Sequence, residues 1–200
     1  MKILVIGGTG TIGKEIVSSL KDGNEICTAG RTSGDFNVDI TSKKSIEELF
    51  EKTGNVDVII SAAGDGKMGS LNDLTDEDFK LVLDSKVMGQ INIVRIGEKY
   101  LNEGGSITLT SGMALKNPRP GISSIGIGVA AIDAFVKTAA TELEHNKRIN
   151  SVSPDFVKET MVMMGMDDTY GVSAKDTVMF YKKAVEGNET GKVYEVSASL

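Results

Sequence analysis

Several things are scarce in this 200-residue chain, and each absence narrows its class. Cys27 is the only cysteine, so no intrachain disulfide can form, and a core thiol in a reducing compartment is expected. No apolar stretch approaches the roughly 20 residues that span a bilayer. The N-terminus also lacks the apolar core of a secretory signal, so the expected location is cytoplasmic. No long basic run occurs, and the net charge of −6 is spread through the chain, which argues against nucleic acid or an anionic membrane as the main partner. No linker, repeat or low-complexity segment divides the sequence. One domain spanning residues 1–200 is therefore expected, large enough to bury on the order of 70% of the unfolded surface. No metal site is expected.

What is present begins at once. The apolar run Lys2 to Ile6 breaks into Gly7-Gly8-Thr9-Gly10-Thr11-Ile12-Gly13 and then into an amphipathic stretch. Strand, glycine loop and helix in that order bind dinucleotide phosphates. Gly7 or Gly8 permits the tight turn, Gly10 lets the backbone approach a pyrophosphate, and Gly13 lets the helix pack closely on the strand. The free N–H groups and positive dipole end of the helix then hold the anion. Ile12, Ile16 and Leu20 recur at intervals of four and give that helix an apolar face.

Further strands are expected at Ile26–Ala29, Phe36–Ile40, Val56–Ser61, Ser106–Thr110, Arg148–Val152 and Lys192–Val196. Helices are expected at Ser42–Lys52, from a Thr75 cap to about Leu101 before Gly104-Gly105, from Ser124 to about His145, and at Lys175–Val185. This alternation predicts an α/β fold, a doubly wound and mostly parallel sheet with helices on both faces. Its site lies at the carboxyl ends of the strands, where their order reverses.

Placed on those elements, five more segments follow the glycine loop: Val38-Asp39-Ile40, Ser61-Ala62-Ala63-Gly64, Thr110-Ser111-Gly112, Ala130-Ala131-Ile132-Asp133-Ala134-Phe135 and Arg148-Ile149-Asn150-Ser151-Val152-Ser153-Pro154. Together these six resemble the short-chain dehydrogenase/reductase family along nearly the whole chain. The glycine spacing is closer to that of the family's extended and atypical members, and the segment between the second and third strands is too short for the usual helix. The resemblance implies a Rossmann-like domain, a nicotinamide cofactor and a small carbonyl or alcohol substrate. It makes Asp39 the adenine-side acid and Ala62, Ala63, Gly64, Pro154 and Thr160 cofactor contacts, Thr160 with a spacing one residue long. It also implies a homodimer or homotetramer formed through the helices that start at Thr75 and Ser124.

Cofactor choice is read from the end of the second strand. NAD requires a carboxylate for the ribose 2′-hydroxyl, whereas a 2′-phosphate requires a cation and hydroxyl donors. The chain offers Arg31, Thr32 and Ser33 there, and its first acid is Asp35, beyond the turn. NADP is the expected cofactor, the alternative being that Arg31 is a solvated turn residue.

The family's catalytic Asn, Ser and Tyr-x-x-x-Lys are only partly matched. The tyrosine position holds Ile125 and the lysine position Val129, and no tyrosine lies between Tyr100 and Tyr170, so no small shift restores the motif. Ser111 remains, to hold a substrate oxygen or to cap the following turn. The Asn position holds Lys86, on the apolar stripe with Phe79, Val82 and Leu83. Lys86 is read either as a desolvated donor to cofactor or substrate or as a packed stem whose ammonium reaches water. Gln90, one turn on, either assists it or satisfies buried backbone. Asp155 stands where the family usually has glycine, and Met161 to Met166 form a soft apolar segment suited to a lid or to packing. His145, the only histidine, is placed near a helix C-terminus. Three functions stay open: an NADP-dependent oxidoreductase with a degenerate tetrad, using Ser111 and Lys86; a non-catalytic NADP-binding sensor or regulatory module; and catalysis without net redox change. The substrate, the direction and whether reaction occurs are not readable.

Overall fold

A computed structural model describes residues 1–198. Seven strands form one parallel sheet in the order β3-β2-β1-β4-β5-β6-β7: β1 (Lys2–Ile6), β2 (Glu25–Gly30), β3 (Phe36–Asn37), β4 (Val56–Ser61), β5 (Leu101–Thr110), β6 (Arg148–Pro154) and β7 (Val193–Val196). The helices are α1 (Thr11–Leu20), α2 (Lys43–Thr53), α3 (Asp76–Val82), α4 (Gln90–Gly97), α5 (Ser123–Ala139), α6 (Lys158–Met163) and α7 (Ala174–Glu186), with a π-helical turn, Leu83–Gly89, joining α3 to α4. This is the doubly wound Rossmann-like architecture expected.

Alternation along β1 sorts the core into two layers. Leu4 and Ile6 pack with α2, α4 and α5 through Phe50, Ile93 and Ile132, while Ile3 and Val5 pack with α1 and α7 through Ile16 and Tyr181. Burying each such side chain contributes about 1.5–3 kcal/mol. Ile6 pairs with Ala29 on one side and Ser61 on the other, which aligns the strand ends. The chain runs outward from β1 through β2 and β3, then returns to place β4 on the other side of β1. The order therefore reverses between β1 and β4, where a crevice opens.

Most boundaries differ from the sequence reading by one or two residues, helix α6 was not expected, and four differences are larger. The helix capped by Thr75, whose side chain and that of Asp78 form a reciprocal capping box, gives way to a π turn and ends at Gly97 rather than Leu101. Strand β5 starts at Leu101, five residues before Ser106, because Gly104-Gly105 serves an irregularity within the strand instead of a helix stop: a Cβ at Gly105 would lie 2.8 Å from the carbonyl oxygens of Asn102 and Asp57. Helix α5 ends at Ala139, so His145 lies in a turn at φ +57° and has no helix C-terminus to interact with. The third strand is only Phe36–Asn37.

Candidate functional site

The glycine loop leaves β1 at Gly7, whose φ of +83° and whose 2.8 Å approach to the Ala62 backbone both exclude a side chain. Gly7, not Gly8, makes the turn; Gly8 lies against the Thr28 side chain. Gly13 carries the packing role, since a Cβ there would stand 2.0 Å from the Gly7 oxygen. Gly10 is the extended N-cap of α1, and neither a side-chain cap nor an acidic first turn covers that helix end, which Thr11 begins. Helices α2, α3 and α7 are by contrast capped by Ser42, Thr75 and Ser173. The open amide cradle fits a pyrophosphate.

Two cavities meet at this cradle. One, of about 330 Å³, runs from Gly7, Thr9 and Gly10 past Arg31, Thr32 and Ser33 to Val38 and Ile40. The other, of about 280 Å³, is lined by Ile12, Lys86, Ser111, Ile125, Val129, Pro154, Asp155 and Thr160 among others. Ala62, Ala63, Gly64 and Asp65 belong to both and form their shared wall. The groove thus collects most of the residues expected for cofactor binding. Gly8, Thr11, Gly13 and Asp39 are outside the lining, and the Asp39 carboxylate accepts hydrogen bonds from the amide and hydroxyl of Thr41 at the turn into α2. Arg31 donates to Asp65 at 2.8 Å, and Thr9 and Ser33 share a 2.8 Å hydroxyl contact.

Lys86 sits in the π turn, where the wider winding brings Ser85, Lys86 and Val87 inward in succession. Its stem is clamped by two glycines: a Cβ at Gly64 would lie 2.7 Å from the Lys86 Cδ, and one at Gly128 would lie 3.3 Å from its Cγ. The stem is enclosed while the ammonium lines the second cavity, and among the described residues it has no hydrogen-bond or ion-pair partner. Burial pulls its pKa from 10.5 down to about 8, against a weaker opposing pull from Asp133. Gln90 does not assist it. The Gln90 amide donates to the Thr110 carbonyl at 3.0 Å and accepts from the Thr110 amide at 3.1 Å, so it satisfies backbone at the end of β5.

Ser111 is buried and donates to the Val129 carbonyl at 3.0 Å, so its hydroxyl faces α5 rather than the cavity centre. Asp133, half-buried beside it, accepts from Ser151 at 2.8 Å and has its pKa raised by desolvation. Asp155, which stands in place of glycine, is bonded on both oxygens: Asn117 donates to its Oδ2 at 2.8 Å, its Oδ1 accepts from the Phe156 amide, and Arg119 lies 3.6 Å away. Ile125 and Val129 present only hydrocarbon to the cavity. In α6, Met161 is buried while Val162, Met163 and Met164 are exposed, and Tyr170, 67% exposed, does not line the cavity. Sequence reasoning missed the roles of Asp65 and Asp133. Asp133 carried a signal, one turn after Val129 on a face otherwise made of Ile132 and Val136; Asp65 carried none.

A family profile described as enoyl-(acyl carrier protein) reductase matches residues 15–197. Protein lin1944 of Listeria innocua has a solved structure that superposes with a TM-score of 0.94 at 39% identity, covering 98% of this chain and 99% of that one. A small-chain dehydrogenase solved in complex with NADPH superposes with a TM-score of 0.89 at 31% identity, over 98% of this chain and 96% of its own. A short chain dehydrogenase (claC) of Passalora fulva is 31% identical over 139 residues, which are 66% of this chain and 51% of the relative. The chain spans about half the length of the first curated relatives it matches.

Proposed function

The chain belongs to the short-chain dehydrogenase/reductase family, and from that premise we propose that it is an NADP-dependent oxidoreductase acting on a small carbonyl or alcohol, with Lys86 in place of the missing tyrosine and lysine. When bound, the nicotinamide cofactor supplies or accepts the hydride. Gly7, Gly10 and the open end of α1 would hold its phosphates, Arg31 with Thr32 and Ser33 its 2′-phosphate, and Pro154 and Thr160 its nicotinamide end. The single observation that carries the reading is the unpaired Lys86 ammonium in a mostly apolar cavity at the sheet's carboxyl edge. With a pKa of about 8, Nζ holds its proton at neutral pH and releases it readily, which suits donation to an oxygen gaining charge. Ser111 can turn its hydroxyl hydrogen from Val129 toward the same oxygen.

The residues on α5 favour one rival. Ile125 and Val129 together remove the polar face of that helix, as a non-catalytic NADP-binding module would allow. Calorimetric titration with NADPH and NADH, repeated with Arg31→Ala, tests the cofactor. NADPH oxidation over a panel of aldehydes and ketones, lost in Lys86→Met and reduced in Ser111→Ala, supports the enzyme; tight binding with no turnover supports the module. Association into a homodimer or homotetramer fits the exposed Leu81, Leu83, Met88 and Ile127 on the α3 and α5 side. A cytoplasmic location remains part of this proposal, and no helix among the described residues is long and apolar enough to cross a membrane.

A further inference from the structure

An NAD site needs a carboxylate near the end of β2, and both acids that follow that strand are committed elsewhere. Asp35 accepts from the Thr28 amide and hydroxyl, each at 2.8 Å, and Asp39 is held by Thr41. Neither lines the groove. The carboxylate that does line the Arg31 cavity comes from a different strand: Asp65, four residues past the end of β4. Its Oδ2 accepts from Arg31 Nη2 at 2.8 Å. Its backbone is fixed from behind, because the Asp65 amide donates to Ser85 Oγ at 2.9 Å and Ser85 is fully buried in the π turn. The carboxylate therefore has a defined place on the rim, opposite the cation.

From this geometry we propose that Asp65 is a specificity-determining residue that opposes Arg31, so that the groove accepts both phosphorylated and unphosphorylated nicotinamide dinucleotides and Asp65 sets the balance between them. The inference rests on the nicotinamide-cofactor reading above. Arg31 has five N–H donors, of which Asp65 uses one, so a 2′-phosphate can still bind the guanidinium but only with a second anion close to Asp65. Without that phosphate, the Asp65 carboxylate would be available to accept hydrogen bonds from the ribose hydroxyls. Both side chains are substantially exposed, 61% and 44%, so the pair holds itself together weakly and opens for either ligand.

The test is calorimetric titration of the full chain with NADPH and NADH, for wild type, Asp65→Asn and Arg31→Ala, with melting curves to confirm folding and Asp65→Ser as a second variant. Removing the anion that Arg31 holds at 2.8 Å, beside the cation that would receive the phosphate, should tighten NADPH about three- to fivefold. Exchanging a charged acceptor for a neutral one should weaken NADH about two- to threefold. The preference for NADPH then rises about tenfold in Asp65→Asn, whereas Arg31→Ala lowers it. Equal changes for both cofactors, or a ratio unmoved by either Asp65 variant while Arg31→Ala still weakens NADPH, would overturn the role of Asp65 and leave the cofactor reading standing. Binding of neither cofactor to the wild type would overturn both.

Discussion

Replacing Lys86 with methionine should stabilise the protein at neutral pH, against the usual effect of a core substitution. Methionine nearly matches the lysine stem that Gly64 and Gly128 enclose and removes only the unpaired ammonium. The fall from 10.5 to about 8 corresponds to roughly 3 kcal/mol at 1.36 kcal/mol per pH unit, as an upper limit. Water reaching Nζ from the cavity reduces this, and a gain of about 1–2 kcal/mol is expected. The sign follows from proton binding. Below pH 8 the lysine is charged in both states, and the folded state carries the whole penalty. Between about 8 and 10.5 the unfolded chain binds the proton that the folded protein has released, so wild-type stability rises with pH. Above 10.5 both states are neutral and the penalty is gone. Urea unfolding of wild type and Lys86→Met at several pH values from 7 to 10.5 measures the difference, in which other titrating groups cancel. The methionine variant should lead most at pH 7 and lose its lead as the pH rises. A variant less stable at pH 7, or a difference flat with pH, would show that the ammonium is solvated or paired and would refute the reasoning.

Gly128→Ala should lower stability by about 1–3 kcal/mol in thermal or urea unfolding, because its Cβ would lie 2.6 Å from Val82 Cγ1 in the neighbouring helix. Gln90→Leu should cost about 2 kcal/mol or more by the same measurements, since it strands the buried amide and carbonyl of Thr110. Gly13→Ala should weaken NADPH binding as well as stability, because the clash with the Gly7 oxygen is relieved only by moving the glycine loop; unchanged affinity in a folded variant would separate the loop from the cofactor. Tyr181→Phe should cost about 1 kcal/mol through loss of the 2.6 Å contact with Thr110 Oγ1, which keeps its bond to the Ser61 carbonyl, and should leave cofactor affinity unchanged in the titration.

The fold was legible because its signals are local. The unbroken apolar run Ile3, Leu4, Val5 and Ile6 marks a strand buried on both faces, and the glycines after it mark a turn whose geometry admits no side chain. Errors fell where a tertiary contact overrides a local cue. Gly104-Gly105 reads as a helix stop, yet the pair shapes an irregularity inside β5. The π turn has no local signature, and the inward position of Lys86 was legible only because Phe79 and Val82 traced that face; Leu83, read as part of the same stripe, is 43% exposed. Asp65 was not legible at all, since nothing in its neighbours foretells that the end of β4 meets the end of β2 across a groove.

The electrostatics of the pocket bear on whether its polar residues are architecture. Asp155 is met by Asn117 and Arg119, Asp65 by Arg31, and Asp133 by Ser151. Each carboxylate therefore has a structural explanation that needs no ligand. Lys86 has none: its stem passes between two glycines whose lack of a Cβ is what admits it, and among the described residues its ammonium has no hydrogen-bond or ion-pair partner in a cavity whose walls include Ile125 and Val129. A groove that served packing alone would be more stable with methionine at this position. The ammonium is instead held where an oxygen or anion arriving in the cavity would supply its missing partner. The pH dependence of Lys86→Met stability tests the penalty itself, and the variant's effect on NADPH affinity and turnover tests what that penalty supports.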